Sequence, residues 1–284
     1  MDAIRLRACA KLNLTLDVVA RREDGYHQLE MIMQSVDLCD LITVRLNRSG
    51  RVTVECGALS GDDNLAAKAA RMYFDALAPD FGAEISIEKR IPVCGGTAGG
   101  SADAAGVLAA LDKALHLATG DELIAIAKRL GADVPFAMVG GTALVGGIGE
   151  QIRPLKALKG LTFVLASVGE KDSTGKMFAR VDALQTKKHP DTAAVAAAIE
   201  SGNVREAARG FGNSFDPLWE NPTAEKVRGI MTAHGALGCS VTGSGPTLFG
   251  SFLNEDDAVR CCAELEKLTF ACVCRPTERS IFFE

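Results

Sequence analysis

Residues 91–105 read I-P-V-C-G-G-T-A-G-G-S-A-D-A-A, a glycine-rich loop that runs directly into an alanine-rich helix. The loop contains four glycines: Gly95, Gly96, Gly99 and Gly100. Residues without a Cβ atom let the backbone approach a ligand closely, and a helix that begins near Ser101 adds unpaired N–H groups and a partial positive charge. The stretch is therefore typical of a phosphate-binding cradle, although an ordinary strand-to-helix turn also accommodates several glycines.

The loop differs from the two commoner nucleotide-binding motifs. No G-x-x-x-x-G-K-[ST] pattern occurs in the chain, and G-x-G-x-x-G is absent from this segment. A phosphate bound here would therefore be held by another kind of glycine-rich loop.

The composition predicts a soluble globular protein. The 284 residues are 48% hydrophobic, which allows a substantial core in one large domain or in two of ordinary size. The formal net charge is −5, lysines and arginines are dispersed, and aromatic residues make up only 5%. These values argue against nucleic-acid binding, so an anionic ligand must be captured by a local arrangement.

The cysteine pattern predicts reduced, buried thiols in a cytoplasmic protein. The nine cysteines are an odd number, form no C-x-x-C pair and lie mostly in apolar runs. The N-terminus lacks a basic-then-apolar leader, and no apolar run approaches the roughly 18 residues that cross a bilayer. We therefore expect neither secretion nor membrane insertion.

An alternating stretch near the N-terminus predicts a β-strand with one apolar face. Every second residue of 12–18 is Leu or Val, so Lys11 and Asn13 project together from the polar face. Further strands are predicted at 41–46, 51–56 and 85–91.

Helices are predicted on both sides of the glycine-rich loop. Apolar stripes and caps indicate helices over 65–76, 104–115 and 121–130. The residues that follow, Ala132-Asp133-Val134-Pro135, are interpreted as a short turn, because Pro135 discourages helical continuation. Asp133 is then presented from a fixed, non-helical position.

A domain boundary is predicted near Pro154, which divides the chain into residues 1–154 and 155–284. The second half alternates strands and helices with antiparallel neighbours, the pattern of an α+β layer. Its predicted strands are 161–168, 237–242, 247–253 and one from 270, and its predicted helices are 192–200, 204–211, 222–234 and 256–268. Gly243-Ser244-Gly245-Pro246 joins two of these strands, and it either aims N–H groups at an anion or forms a plain hairpin turn.

Three segments, in this order, resemble the three signatures of the GHMP kinase superfamily, which includes galactokinase, homoserine kinase and mevalonate kinase. They are the Lys11/Asn13 strand, the loop from Pro92 to Ala105, and the stretch from Val241 to Phe249. Further segments resemble the branch that phosphorylates a cytidine-diphosphate-linked methylerythritol: 10–14 (AKLNL), 21–27 (RREDGYH), 63–65 (DNL), 131–136 (GADVPF) and 140–143 (GGTA). These matches are spread over nearly the whole chain.

The resemblance implies an α+β fold of two domains. The N-terminal domain would be a ribosomal-protein-S5-like α/β domain and the C-terminal domain a ferredoxin-like α+β domain, with ATP and the substrate in the cleft between them. We expect a small-molecule substrate, no nucleic acid or membrane as partner, and a monomer or weak homodimer.

The resemblance also implies which residues hold ATP and Mg²⁺. Those on the nucleotide would be Asn64, Lys89, Pro92, Gly95, Gly96, Gly99, Gly100, Ser101, Asp103, Gly243 and Ser244. The backbone of 95–101 would hold the β- and γ-phosphates, Ser101 would contact the metal ion, and Asn64 with Lys89 would lie towards the adenosine. Asp103 is equally well explained as a helix-capping carboxylate.

Lys11 and Asp133 would be the catalytic residues. Asp133 would accept the proton of the attacking alcohol, while Lys11 would keep Asp133 ionised and offset charge on the transferring group. By residue type alone, Lys11 is a solvated strand lysine and Asp133 a turn-capping aspartate, and only the motif match favours catalysis.

The resemblance assigns the substrate to Asn13, Tyr26, His27 and Phe178. Tyr26 would stack on the cytosine, His27 would hydrogen-bond its edge, and Phe178 would form a second aromatic wall. Asn13 would bind the hydroxyl groups of the erythritol. A phenylalanine is more often part of a core, which is the alternative for Phe178.

The chain departs from the family pattern at three places. Thr97 replaces a usual leucine, Ala102 replaces a frequent second serine, and Asn213-Ser214-Phe215-Asp216 replaces the usual N-D-L-E. The change at Ala102 matters most, since a hydroxyl there could touch phosphate or magnesium.

Two alternative functions stay open at this point. A sister kinase would act on homoserine, mevalonate or a sugar. Residues 24–27 argue against this function, because they resemble a pyrimidine pocket and such an enzyme has no use for one. A regulatory protein would keep the fold without turnover, but Lys11 and Asp133 argue against that.

Overall fold

The computed structural model describes residues 3–93, 95–186 and 188–284, which form two β-sheets with helices packed against them. The strands are β1 (Ile4–Arg21), β2 (His27–Asn47), β3 (Val52–Glu55), β4 (Gly82–Glu88), β5 (Thr142–Gly147), β6 (Gln151–Pro154), β7 (Thr162–Ser167), β8 (Gly212–Asn213), β9 (Cys239–Val241), β10 (Thr247–Phe252), β11 (Ala271–Cys274) and β12 (Ile281–Phe283). The helices are α1 (Leu65–Leu77), α2 (Gly99–Leu115), α3 (Gly120–Leu130), α4 (Val134–Val139), α5 (Thr174–Asp182), α6 (Thr192–Ser201), α7 (Val204–Arg209), α8 (Pro222–Ala233) and α9 (Glu255–Leu265). None of these helices is long and apolar enough to span a bilayer.

A long antiparallel hairpin of β1 and β2 forms the centre of the first sheet. Its pairing extends from Ile4, opposite Val44, to Arg21, opposite His27. The strand order is β12-β1-β2-β4-β3, with β5 and β6 added to the first half of β2 and β8 parallel to β1. Both β8 and β12 follow Pro154 in the sequence, so the second half of the chain adds two strands to this sheet. The domain boundary at Pro154 stays a prediction.

Helices α1 and α2 pack on the first sheet and share one hydrophobic core with it. α1 begins after Asn64, whose side chain accepts a hydrogen bond from the N–H of Ala66 at 2.8 Å. In α2, a Cβ atom on Gly106 would lie 2.8 Å from Cδ1 of Leu6 and 3.0 Å from Cδ1 of Ile42. The missing side chain therefore lets α2 lie close against the hairpin.

The second sheet is antiparallel throughout, with the order β11-β7-β10-β9, and α8 and α9 pack against it. Its core also contains five residues of the β1–β2 hairpin: Leu16, Val18, Leu29, Met31 and Met33. The hairpin thus belongs to both cores. The predicted α+β organisation is confirmed.

The predicted strand around Lys11 is present, but its polar face is not exposed to solvent. Lys11 is 5%, Asn13 1% and Thr15 0% exposed. The N–H of Lys11 donates to the carbonyl of Thr97 at 3.1 Å, and the N–H of Asn13 donates to Oγ1 of Thr242 at 3.0 Å. Alternation identifies the apolar face of a strand, but it cannot show that the polar face is covered by distant segments.

The turn predicted over 132–135 is present at residues 132 and 133, but its second half is wrong because α4 begins at Val134. Asp133 is the N-cap, and Pro135 occupies the first turn, where a missing N–H costs no helical hydrogen bond. Pro135 therefore starts a helix instead of preventing one. The periodicity also fails to predict α5 and the first part of β2, residues 27–40, because polar residues interrupt the apolar pattern of both.

Cys9 and Cys39 form a disulfide between paired positions of β1 and β2. The expectation of reduced thiols is therefore wrong for this pair. Six further cysteines of the described ranges have free thiols: Cys56, Cys239, Cys261, Cys262, Cys272 and Cys274. Burial raises the pKa of Cys261 to about 12 and that of Cys262 to about 11, which keeps these thiols protonated. Cys94 lies outside the described residues.

Replacing Gly106 by Val should lower the free energy of unfolding by about 1–3 kcal/mol, because the added methyl groups must displace Leu6 and Ile42 in a packed core. Urea unfolding followed by circular dichroism measures the change. Gly229→Val is the matched control, since a Cβ atom there meets nothing within 4 Å. The control should change stability by less than about 0.5 kcal/mol, and equal effects of the two variants would contradict the close packing of α2.

Candidate functional site

A cavity of about 1080 Å³ is lined by both halves of the chain, which is enough volume for a nucleotide-sized ligand. Its wall consists of the glycine-rich loop, the start of α2, the end of the β1–β2 hairpin, residues 171–182 and the turn at 243–244. Most predicted site residues lie on this wall: Lys11, Asn13, Tyr26, His27, Pro92, Gly95, Gly96, Gly99, Gly100, Ser101, Asp133, Phe178, Gly243 and Ser244. The fold thus brings together residues that are more than 200 positions apart in the sequence.

The glycine-rich loop leads into α2 and leaves the first N–H groups of this helix uncapped. The residue before the helix, Ala98, has φ +59° and ψ 34°, a left-handed conformation that costs about 1–2 kcal/mol for a residue with a Cβ atom. No side chain of the described residues caps this end of α2. Because Gly99, Gly100 and Ser101 line the cavity here, the arrangement suits an anion.

Gly96 joins the loop to the turn that follows β9. Its carbonyl accepts hydrogen bonds from Nζ of Lys11 at 3.0 Å and from Oγ1 of Thr242 at 3.4 Å. Gly96 has φ +80°, and a Cβ atom there would lie 2.3 Å from the carbonyl oxygen of Thr242. Only glycine fits this position, so the two glycine-rich segments are in direct contact.

The ammonium group of Lys11 is buried beside the loop. It donates to Oδ1 of Asn13 at 2.5 Å and to the carbonyl of Gly96, and its Nζ lies 3.9 Å from Oδ2 of Asp133. Burial lowers the pKa of Lys11, and the Asp133 carboxylate opposes that shift. Lys11 is therefore not a solvated strand lysine.

The carboxylate of Asp133 faces the cavity and Lys11. Its side chain is 37% exposed and lies on the cavity wall. Although Asp133 is the N-cap of α4, its carboxylate makes no capping hydrogen bond with the helix. No N–H group of the helix therefore occupies the carboxylate, whereas a capping hydrogen bond would engage one of its oxygens.

The side chain of Asn13 holds other protein groups in place. Its Oδ1 accepts from Lys11 and also from the N–H of Gly243 at 2.9 Å, and its Nδ2 lies 3.1 Å from Sδ of Met31. The side-chain amide therefore connects β1 to the turn after β9. Its predicted contact with substrate hydroxyl groups stays a prediction.

Three predicted nucleotide contacts lie off the cavity wall of the described structure: Asn64, Lys89 and Asp103. Nζ of Lys89 binds the carboxylates of Asp40 and, at 2.8 Å, Asp103. Asp40 also accepts the backbone N–H groups of residues 90 and 91 at 2.6 and 2.9 Å. Burial raises the pKa of Asp103 to about 7, which the Lys89 ammonium opposes. This network connects the chain before the loop to α2, and the contacts of these residues with ATP stay predictions.

Aromatic rings line the other end of the cavity. His27 and Phe178 stack with ring centroids 4.6 Å apart and 20° between planes. Phe215 contacts Phe178 edge-on, with centroids 5.0 Å apart and an angle of 83°. Tyr26 is 62% exposed. Phe178 thus supports His27 within the wall, while the ring of Tyr26 remains accessible.

Two charged residues of the cavity wall, Lys171 and Asp182, have no motif that reveals them in the sequence. Nζ of Lys171 donates to Oγ of Ser244 at 3.1 Å, which brings a positive charge to the glycine turn. Asp182 lies four residues after Phe178, on the same face of α5, and its carboxylate binds His27. In the sequence, the position of Asp182 four residues after Phe178 was the one signal that it could reach the same site.

Comparison with known proteins shows the family of the chain. Residues 64–141 match the family model for the GHMP kinases N terminal domain, and residues 195–270 match that for GHMP kinases C terminal. The chain is 39% identical to a 4-diphosphocytidyl-2-C-methyl-D-erythritol kinase of Caldicellulosiruptor saccharolyticus, over 98% of each chain. It is 37% identical to the kinase of the same name from Clostridium acetobutylicum, over 93% of this chain and 96% of the other.

The chain belongs to the 4-diphosphocytidyl-2-C-methyl-D-erythritol kinase family. It resembles the crystal structure of a 4-(cytidine 5′-diphospho)-2C-methyl-D-erythritol kinase with a TM-score of 0.82 and 33% identity, covering 95% of this chain and 98% of the other. A homoserine kinase from Cytophaga hutchinsonii has a TM-score of 0.78 at 18% identity, covering 100% of this chain and 98% of its own, and so shares the fold. The predicted two-domain GHMP kinase fold is confirmed.

The departure from the kinase family pattern at Ala102 lies outside the cavity wall. Ala102 is 3% exposed and packs in the core beneath α2, whereas Ser101 lines the cavity. A hydroxyl group at position 102 of this chain would therefore be buried. Alanine at position 102 therefore removes no hydroxyl group from the wall of the phosphate cradle.

Alanine at Gly96 and at Gly100 should separate folding from nucleotide binding. Gly96→Ala should lower the free energy of unfolding by about 1–3 kcal/mol, because its Cβ meets the Thr242 carbonyl at a strained φ. A Cβ atom on Gly100 meets nothing within 4 Å, so Gly100→Ala should keep stability within about 0.5 kcal/mol. Its methyl group should nevertheless weaken ATP binding about tenfold or more by occupying the cradle.

Thermal unfolding and calorimetric titration with ATP measure the two effects. Unchanged ATP affinity in Gly100→Ala would show that the phosphates bind elsewhere.

Proposed function

We propose that the protein transfers the γ-phosphoryl group of ATP to the 2-hydroxyl group of 4-diphosphocytidyl-2-C-methyl-D-erythritol, in the non-mevalonate route to isoprenoid precursors. The observation that carries this proposal is the Lys11–Asp133 pair, 3.9 Å apart, beside the uncapped start of α2. Support also comes from relatives at 37–39% identity that bear the name of this kinase.

Phosphoryl transfer requires a cradle for phosphates, positive charge and an oriented acceptor hydroxyl. The backbone of 95–101 and the first N–H groups of α2 supply the cradle. Lys11 and Lys171 supply positive charge on the wall of the same cavity. Gly243 and Ser244 extend the wall of peptide groups around the phosphate chain.

Asp133 orients the acceptor hydroxyl and accepts its proton as the new oxygen–phosphorus bond forms and the bond to the β-phosphate oxygen breaks. Lys11 stabilises the negative charge on the transferring group. Asn13 and Gly96 already hold the Lys11 ammonium group in place, so this positive charge needs little reorganisation during the reaction. Tyr26, His27 and Phe178 receive the cytosine.

The residues present fit a magnesium ion that is held mainly by phosphates. The hydroxyl of Ser101 offers an oxygen ligand on the cavity wall. Across the described ranges, no cluster of three or more His, Cys, Asp or Glu side chains could hold a metal by itself. When bound with ATP, magnesium would offset phosphate charge, and Ser101 would contact it.

The remaining parts of the proposal concern the setting of the reaction. The protein acts in the cytoplasm as a monomer or weak homodimer. Its substrate is a small molecule, and neither nucleic acid nor a membrane is a partner. The free thiols away from the Cys9–Cys39 pair support a reducing compartment, and the net charge of −5 disfavours nucleic acid as a partner.

Asp133→Asn should lower kcat about 10²- to 10⁴-fold, because the amide keeps the size of the carboxylate but cannot accept the proton. The dissociation constant for ATP should stay within about twofold, since the cradle is intact. A coupled assay for ADP and an ATP titration measure the two quantities. Asp121→Asn, an exposed change on α3, is the control and should be neutral. Equal losses of ATP affinity and turnover would assign Asp133 a structural role.

A panel of alcohols should identify the acceptor. With ATP and magnesium, only 4-diphosphocytidyl-2-C-methyl-D-erythritol should be phosphorylated, and free methylerythritol, homoserine, mevalonate and galactose should react at least about 10³-fold more slowly, because the aromatic end of the cavity contributes binding energy only to a nucleotide. Efficient turnover of homoserine or mevalonate would overturn the proposed substrate.

A further inference from the structure

We propose that Asp182 is a positioning residue that selects cytosine over uracil by fixing the protonation pattern of the His27 ring. This inference rests on the proposed function, because it concerns the base of the same substrate. It adds to that function the residue that decides which pyrimidine is accepted. Neither the family pattern in the sequence nor the relatives' names assign a role to Asp182.

The His27 ring is held from two directions. Nε2 of His27 lies 3.0 and 3.1 Å from the two carboxylate oxygens of Asp182. The face of the ring stacks on Phe178, which Phe215 supports edge-on. The hydrogen bonds and the stacking together fix both the position and the plane of the imidazole.

The carboxylate determines which nitrogen carries the hydrogen of the neutral imidazole. An ionised carboxylate accepts hydrogen bonds and donates none, so Nε2 must be the protonated nitrogen. Nδ1 then carries the lone pair and acts as an acceptor. Within the part of the chain that the structure describes, Nδ1 makes no hydrogen bond, and His27 lines the cavity.

An acceptor at Nδ1 matches one pyrimidine and opposes the other. Cytosine presents an amino group at position 4, which donates a hydrogen bond, whereas uracil presents a carbonyl oxygen, which only accepts. With uracil bound, two lone pairs would face each other and both groups would lose their partners. A site built around one hydrogen bond in this way rejects the analogue that cannot make it.

A purely structural role for Asp182 is the competing explanation. In that case the Asp182–His27 contact would only fasten α5 to the start of β2, and its loss would loosen the cavity for every nucleotide. Weakened binding alone does not distinguish the two explanations. The preference for cytosine over uracil distinguishes them, because a loosened cavity would weaken the binding of both bases equally.

The decisive experiment compares the cytidine substrate with its uridine counterpart. Asp182→Asn keeps the shape of the side chain, but its amide can donate to Nε2 and so permits hydrogen at Nδ1. We expect the preference for cytosine, as the ratio of kcat/KM values, to fall about tenfold, mainly through a higher KM for the cytidine substrate. The kcat for that substrate should stay within about twofold.

Asp172→Asn is the matched control, because Asp172 also lines the cavity but pairs with Lys176 on the exposed side of α5. The control should leave the preference unchanged. Equal losses for both nucleotides in Asp182→Asn, or an unchanged ratio, would overturn the proposal.

A measurement on the unmodified protein keeps the proposal testable if the variant fails to fold. Nitrogen-15 NMR of labelled histidine, with His27→Gln to assign the signals, should show hydrogen on Nε2 of His27. Adding cytidine diphosphate should shift the Nδ1 signal, and uridine diphosphate should not. Hydrogen on Nδ1 would overturn the inference.

The two proposals fail in different ways. If the protein does not phosphorylate the cytidine substrate, the proposed function is wrong, while the diphosphate titrations still test the role of Asp182. If turnover is normal but the base preference is insensitive to Asp182, only the present inference is wrong.

Discussion

The buried ammonium group of Lys11 is the interaction on which the site depends. Transferring a charge from water into a protein interior is costly unless partners replace its hydration. Here the partners are Asn13 on the same strand and two groups from distant segments, the carbonyl of Gly96 in the glycine-rich loop and the carboxylate of Asp133 before α4. Satisfying this one cation therefore assembles the loop, the strand and the carboxylate in a fixed geometry.

The local parts of this arrangement could be predicted from sequence, because short-range rules govern them. The glycine-rich loop and the helix after it are defined by consecutive residues, and the alternation around Lys11 identifies a strand. The burial of the polar face of that strand could not be predicted, since the covering groups are Thr97 and Thr242. The start of α4 was misjudged because proline has opposite effects in the first turn and in the interior of a helix.

The charged contacts of the site follow the same division. The match of motifs identified Lys11 and Asp133, and the structure brings them together. The pairing of Lys89 with Asp40 and Asp103 joins positions up to 49 apart in sequence, and no spacing rule relates them. Asp182 was recognisable only as a neighbour of Phe178 on one helix, because its partner His27 lies 155 residues away.

The β1–β2 hairpin contributes side chains to both hydrophobic cores. The two halves of the molecule consequently cannot swing about a linker near Pro154 without separating one of these cores. Any closure around a ligand would then have to come from parts of the cavity wall that lie outside this shared framework.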